Sequence, residues 1–337
     1  MSHHGPSIYV RGTGSYAPEK ILTNEDISKI VDTNDEWIVT RTGIRERRIA
    51  AENESTSDMA ARACEKAMEM AGIGPDEVDA LIIATLTPDM LFPSTGCLVQ
   101  NKLGLGKVPS FDVDAACSGF MYGLETARGI LSANPRYRNV LLVGAEKLSS
   151  IIDWEDRSTC VLFGDGAGAV VLSREENRGG GELLGVQLGA DGNCAHMIHM
   201  PAGGSSIPAS MDSIKNRQHY LKMNGREVFK LAVRAMVKAS HDILEECGVE
   251  LKDVGCVIPH QANIRIIESV ASHMKLPLDI FPNNVHNYGN TSAASVPLAL
   301  DEAIRGGKIA DGEYVLMIAF GAGLTWGSTL MKWNSPK

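Results

Sequence analysis

The chain contains itself twice. Residues 71–82 read Ala-Gly-Ile-Gly-Pro-Asp-Glu-Val-Asp-Ala-Leu-Ile, and residues 247–258 read Cys-Gly-Val-Glu-Leu-Lys-Asp-Val-Gly-Cys-Val-Ile. Without a gap they set Gly on Gly, Ile on Val, Glu on Asp, Val on Val and Ile on Ile. Each segment follows an amphipathic helix and enters a short apolar strand after a glycine stop. The register persists: Val78 precedes Val140 by 62 residues, and Val254 precedes Val315 by 61. A glycine-rich stretch and one more strand follow in both copies, at Phe163–Leu172 and Phe320–Leu330. Matched spacing over sixty residues indicates duplication.

Duplication constrains the fold to two related α/β halves. Apolar strands alternating with helices predict mostly parallel sheets covered by helices, with the central helix of each half side by side. The polar, glycine-rich run Arg174–Gly181 is the natural seam, which divides the chain into residues 1–174 and 175–337. Sites in such folds gather at strand ends and helix starts.

Three strand-end segments carry chemistry there. Cys117 lies in Asp-Val-Asp-Ala-Ala-Cys-Ser-Gly-Phe, His260 in Val-Ile-Pro-His-Gln-Ala-Asn, and Asn290 in Asn-Tyr-Gly-Asn-Thr-Ser. Cys117 opens a small-residue helix, whose N-terminus is expected to lower the thiol pKa. The plainer role of a free cysteine is a small buried hydrophobe, and it suits the other six, Cys64, Cys97, Cys160, Cys194, Cys247 and Cys256. His260 ends an apolar strand in a loop, where a catalytic imidazole is expected. Asn290 alone reads as a turn or helix cap. The repeat changes its weight: Cys117 precedes Val140 by 23 residues, and the same offset before Val315 reaches Ser292, beside Asn290. A pseudo-twofold axis then brings thiol and amide together. A thiolate takes an acyl group from a thioester, and two N–H donors hold the charge of an enolate.

Composition narrows the alternatives. A net charge of −9 argues against general nucleic-acid binding. Seven cysteines without a CxxC pair read as reduced thiols of a cytoplasmic protein. Neither a signal peptide nor a membrane-spanning run is legible, and His3 and His4 are assigned no role. The glycine runs at 164–168 and 321–323 fit neither the Walker nor the dinucleotide pattern. One basic stripe, Arg226, Lys230, Arg234 and Lys238, shares a helix face opposite Val228, Leu231, Ala232 and Ala235. Its bland reading is a solvated surface; its functional reading is a landing site for an acidic or phosphorylated partner.

These motifs resemble those of the β-ketoacyl-acyl-carrier-protein (ACP) synthase III family, from Gly12-Thr-Gly-Ser-Tyr-Ala-Pro to Phe320-Gly-Ala-Gly-Leu-Thr-Trp-Gly. The resemblance implies a duplicated thiolase fold of five αβαβα layers and a homodimer. It implies an acyl-accepting Cys117, with His260 and Asn290 supporting decarboxylation of malonyl-ACP, and an oxyanion hole from the backbone N–H groups of Cys117 and Ala322. Many relatives carry glycine in place of Ala322, a departure that a main-chain donor tolerates. Trp37 and Arg157 match the pair that sandwiches the adenine of CoA, with Thr33 and Arg41 nearby. Gly225 and Asn263 match pantetheine contacts, and Lys230 and Arg265 match positions of carrier-protein docking, which Arg226 and Arg234 extend. Phe92 matches the residue that floors the partner subunit's acyl pocket, and Phe320 is placed in the acyl pocket as well.

The implied reaction is a decarboxylative condensation of acetyl-CoA or another short acyl-CoA with malonyl-ACP, initiating type II fatty acid synthesis. It needs no metal and no redox cofactor, because N–H donors suffice for oxyanions. The nearest alternative is a secondary-metabolite ketosynthase of the same fold. A hydroxymethylglutaryl-CoA synthase lacks support, since Ala84-Thr-Leu-Thr-Pro holds no glutamate. A papain-like hydrolase lacks its tryptophan-flanked cysteine signature and gives the duplication no role. A non-catalytic carrier-binding module keeps the basic stripe but forms no acyl-enzyme.

Overall fold

The computed structural model describes residues 6–174 and 180–334. The boundary expected between residues 174 and 175 falls against the segment 175–179, outside the described residues, while Gly180 and Gly181 already belong to a strand. Nine strands form one sheet: β1 (Tyr9–Tyr16), β2 (Ala80–Ala84), β3 (Ser110–Val113), β4 (Asn139–Glu146), β5 (Gly166–Ser173), β6 (Gly180–Ala190), β7 (Val254–Pro259), β8 (Tyr314–Gly321) and β9 (Thr325–Asn334). Their order is β7-β8-β9-β6-β1-β5-β4-β2-β3. The helices that matter below are α1 (Asp35–Thr42), α2 (Thr56–Ala71), α3 (Thr95–Lys102), α4 (Gly119–Ala133), α5 (Gly225–Cys247), α6 (Ile264–Met274) and α7 (Ser295–Arg305).

The aligned glycines of the repeat do the same work in both halves. Gly72 ends α2 at φ 65°, and Gly248 ends α5 at φ 67°. Left-handed caps of this kind cost a Cβ-bearing residue strain that glycine avoids. A single 3₁₀ turn follows each, Pro75–Glu77 and Leu251–Asp253, before β2 and β7 begin.

The pairing is more mixed than expected. Within this sheet three strand pairs are parallel and five antiparallel. The parallel ones, β2–β3, β2–β4 and β7–β8, are those joined through helices. β9 returns antiparallel to β8 through the tight turn 322–324, and β5 returns antiparallel to β4 after the longer connection 147–165, which holds a 3₁₀ turn and a short helix. The halves join where β1 pairs with β6, at Tyr9–Glu182 and Val10–Gly181. The first half contributes five strands and the second four: β7 is an edge strand, and the residues matching β3 by the repeat's offset fall in the short helix Val285–Tyr288.

Three apolar clusters define the layers. Helices α2 and α3 cover the outer face of the first half, through residues such as Met59, Cys64, Val99 and Leu81. Helices α5 and α6 cover the second, through Met236, Ile243, Ile267 and Leu316. Between the halves lie α4 and α7, whose Phe120, Leu124, Ala299 and Leu300 pack with strands of both. The order helix–sheet–helix–sheet–helix is the five-layered αβαβα thiolase arrangement expected from the sequence. Among the described residues no helix is long and apolar enough to cross a membrane.

Phe120 is fully buried in the shared central layer. Phe120→Ala is expected to cost about 3–5 kcal/mol, the usual range for an aromatic deleted from a packed core. Chemical denaturation checks this.

Candidate active site

The site forms where the two central helices begin. A 3₁₀ turn, Ala116–Ser118, leads into α4 and a second, Ser292–Ala294, leads into α7. The turns touch, and each opens with a non-glycine residue in the left-handed region, Ala116 at φ 47° and Ser292 at φ 50°. This match corrects the register read from the repeat. The counterpart of Ala116 is Ser292, so Cys117 corresponds to Ala293 and not to Ser292. The segment from the helix start to the next strand is one residue shorter in the second half, which shifts the count.

Strand ends close the site from below. A Cβ on Gly144 of β4 would lie 2.2 Å from the Ala293 carbonyl oxygen, and one on Gly321 of β8 would lie 2.7 Å from the Cys117 nitrogen. Only glycine permits either approach. Each half thus runs a strand beneath the turn of the other, as a twofold relation requires.

Cys117, His260 and Asn290 line one cavity of about 1120 Å³, together with Ala322 and Phe320. His260 is 5% exposed, and its Nδ1 lies 2.6 Å from Ser295 Oγ. The Gln261 N–H donates to the same Ser295 oxygen at 3.3 Å, an arrangement that suits a serine hydroxyl donating to Nδ1. The imidazole then carries its proton on Nε2. Burial pushes its pKa down to about 4, so the ring is neutral at pH 7. Asn290 Oδ1 accepts from Ser292 N–H at 2.8 Å, and its backbone is tied to Leu162 and Gly164. With the oxygen held, the amide N–H₂ is the end left to donate. Two neutral N–H donors in a buried cavity can hold an oxyanion.

The thiol departs from expectation. Burial pushes Cys117 up to about 12, the Ser292 hydroxyl lowers it, and Glu146 and Asp114 raise it further. Desolvation therefore outweighs the helix N-terminus that the sequence suggested would dominate.

The remaining expected residues divide. Trp37, Arg41, Gly225, Asn263, Arg226, Lys230 and Arg265 line the same cavity, while Thr33, Arg157, Arg234 and Phe92 do not. The guanidinium groups of Arg41 and Arg157 each lie 4.9 Å from the Trp37 ring centroid. A purine between Trp37 and Arg157 needs a gap of about 7 Å, two stacking distances, so Arg157 must swing outward to admit one. It is held by a 2.8 Å bond to the Asp32 carbonyl, and the neighbouring Thr33 hydroxyl is buried without a partner. Asn263 caps α6 through Arg265 N–H at 2.8 Å and donates to the Arg41 carbonyl at 3.1 Å, which ties the two binding elements together. The basic stripe is less bare than its sequence implied, because Lys230 pairs with Glu227 at 3.1 Å and Lys238 with Asp242. Phe92 is 83% exposed beside Leu91 at 84%. Among the described residues no cluster of three His, Cys, Asp or Glu could hold a metal ion.

Sequence reasoning used Ser292 only as a mark of register and passed over Ser295 and Glu146. Ser295 lies five residues after Asn290 and stood in plain view as a helix-start serine. Glu146 ends an otherwise apolar strand, Val-Leu-Leu-Val-Gly-Ala-Glu, and is fully buried. A carboxylate closing such a strand is itself a signal.

The chain is similar to known proteins along most of its length. The family model for 3-oxoacyl-[acyl-carrier-protein (ACP)] synthase III matches residues 111–192, and the model for its C-terminal part matches residues 244–333. The β-ketoacyl-[acyl-carrier-protein] synthase III of Caldanaerobacter subterraneus subsp. tengcongensis is 53% identical over 325 residues, covering 96% of this chain and 97% of that protein. The crystal structure of 3-oxoacyl-[acyl-carrier-protein] synthase III from Aquifex aeolicus VF5 superposes with a TM-score of 0.88 at 48% identity, covering 97% of this chain and all of that one. The priming β-ketosynthase of the R1128 polyketide pathway also superposes at 0.88, with 34% identity over the whole of this chain. A chain with this similarity along nearly its full length belongs to the 3-oxoacyl-[acyl-carrier-protein] synthase III family of condensing enzymes.

Proposed function

We propose that this chain condenses acetyl-CoA or another short acyl-CoA with malonyl-ACP, initiating type II fatty acid synthesis through an acyl-Cys117 intermediate. The single observation that carries the reading is the convergence of Cys117, His260 and Asn290 on one cavity whose lining also holds Arg226, Lys230 and Arg265. Residues 1–174 supply the thiol, and residues 175–337 supply the imidazole and amide.

The acyl-CoA enters past Trp37, with Arg157, Arg41 and Thr33 around its adenine and Gly225 and Asn263 along its pantetheine. Cys117 attacks the thioester carbon, and the carbonyl oxygen turns toward the backbone N–H groups of Cys117 and Ala322. The C–S bond to CoA breaks and the acyl-enzyme remains. Malonyl-ACP then docks on Arg226, Lys230, Arg234 and Arg265 and threads its arm into the same cavity. His260 Nε2–H and Asn290 Nδ2–H hold the malonyl thioester oxygen while the C–C bond to the carboxylate breaks, releasing CO₂. The resulting carbon nucleophile attacks the acyl-cysteine, and β-ketoacyl-ACP leaves. The cycle is ping-pong and draws on no cofactor. The exposed Phe92 floors the acyl pocket of a second copy in a cytoplasmic homodimer, and Phe320 lines the pocket from within.

Intact-protein mass spectrometry after incubation with acetyl-, isobutyryl- or octanoyl-CoA tests the reading. An acetyl or isobutyryl adduct is expected. An octanoyl adduct alone would transfer the chain to specialised ketosynthases, and no adduct from folded protein would overturn the reading.

Docking gives a separate expectation. Lys230→Glu or Arg265→Glu reverses one charge of the cavity lining and is expected to lower kcat/KM for malonyl-ACP by about tenfold at low salt. The rate of acylation by acyl-CoA should hold, and the defect should shrink as salt screens it. Equal losses for both substrates would remove the docking role.

A further inference from the structure

The reaction proposed above forms an oxyanion between the backbone N–H groups of Cys117 and Ala322. These groups come from different halves of the chain. Cys117 sits in the turn Ala116–Ser118 that opens α4, and Ala322 begins the tight turn 322–324 between β8 and β9. A hole made of two such pieces stabilises charge only if their spacing is fixed before the charge forms.

Two hydroxyls fasten the pieces together. The fully buried Ser118 holds its Oγ 2.6 Å from Oγ1 of Thr325, the first residue of β9. Thr325 Oγ1 lies 2.9 Å from the Ala322 carbonyl oxygen and 3.0 Å from that of Ala115, and Ser118 Oγ lies 2.8 Å from the latter. Two hydroxyl protons serve these four contacts. Ala115 O already accepts from the Ser118 N–H at 3.1 Å. The order Ser118 to Thr325 to Ala322 therefore uses both hydroxyl protons and leaves neither carbonyl unpaired.

The duplication supplies an internal control. Ala116 matches Ser292, so Ser118 matches Ala294. Thr325 pairs with Gly321 at the end of β8, and Gly166 pairs with Glu146 at the matching end of β4, so Thr325 matches Gly166. Neither Ala294 nor Gly166 carries a hydroxyl. A Cβ on Gly166 would come no nearer than 3.4 Å to any neighbour, so crowding does not dictate the glycine. The fold closes one of its two equivalent junctions without a hydroxyl pair and holds the pair at the junction that carries the nucleophile.

We infer that Thr325 is a positioning residue for the oxyanion hole, with Ser118 orienting its hydroxyl. It acts through the Ala322 carbonyl, which anchors the turn that presents Ala322 N–H beside Cys117. The inference rests on the reading above, in which a thioester acylates Cys117.

Thr325→Val removes the hydroxyl and keeps the β-branched shape that suits a strand. Single-turnover acylation of Cys117 by acetyl- or isobutyryl-CoA, followed by intact mass at rising concentration, gives a limiting rate and a half-saturation point. In Thr325→Val the limiting rate is expected to fall by about 10–10²-fold, the scale of a reacting group misplaced by up to about 1 Å. The half-saturation point should hold, because the binding positions for CoA lie elsewhere. Thr325→Ala should match Thr325→Val, which separates the missing hydroxyl from crowding by the new methyl, and Thr325→Ser should restore most of the rate. Decarboxylation of malonyl-ACP in the Cys117→Ala background should be indifferent to Thr325→Val, since it draws on His260 and Asn290. Ser118→Ala should cost less than Thr325→Val and add nothing to it, as two groups acting in one chain require. An unchanged limiting rate in Thr325→Val would overturn the inference alone. So would equal losses in both half-reactions, a Thr325→Ser variant as slow as Thr325→Val, or losses that multiply when Ser118→Ala is combined. An unaltered protein that takes no acyl group would overturn the thioester reading and this inference with it.

Discussion

Cys117→Ala is expected to leave a folded protein that forms no covalent acyl adduct and loses condensation by more than about 10⁴-fold, the scale associated with removing a covalent nucleophile. The substitution is mild for the fold, because the residue sits in a turn beside a cavity. Decarboxylation of malonyl-ACP should survive, since His260, Asn290 and the structure that orients them are untouched. The variant therefore separates the two half-reactions. Intact mass after acetyl-CoA treatment reads the first, and consumption of malonyl-ACP reads the second. An adduct that persists in this variant would place the acyl group on another residue. The chain has thiols available for that outcome, and Cys97 is exposed. Loss of both half-reactions with retained folding would instead mean that decarboxylation needs the acyl-enzyme.

Much of this arrangement was legible before any coordinates. The repeat implied two halves because Gly72 and Gly248 each stop a helix before a buried strand, a local rule that does not depend on tertiary context. Cys117, His260 and Asn290 stood out because each ends an apolar run. Details set by packing were less accessible. The one-residue register shift lies between the start of α7 and β8, where a helix of 11 residues against 15 in α4, followed by a longer connection, reaches the same strand position. The rise in the Cys117 pKa follows from burial, which the helix-start motif does not reveal. Strand polarity was misjudged because a glycine-rich reversal and a helical crossover both read as gaps between apolar runs. Ser295 and Glu146 matter through the atoms they face, and facing is a property of the fold. The family resemblance supplied the names of the binding positions. It did not supply the stacking of both Arg41 and Arg157 on Trp37.

The second large effect should appear in the reverse pattern. His260→Ala and Asn290→Ala are each expected to accept an acetyl group on Cys117 at near the normal rate. Each should lose malonyl-ACP decarboxylation by about 10²–10³-fold, the usual cost of one oxyanion donor. The donors act on one developing charge, so the double variant should fall short of the product of the single losses. The donor model also makes a pH claim. Burial lowers His260 from 6.5 to about 4, so the ring remains neutral, with its Nε2 proton in place, across ordinary assay conditions. Decarboxylation measured in the Cys117→Ala background, free of thiol ionisation, should therefore stay level between pH 8 and pH 5.5. A histidine with an ordinary pKa would become half charged near 6.5 and give an inflection there. That inflection would show that His260 takes up a proton in this range, and the pair of neutral donors would have to be abandoned.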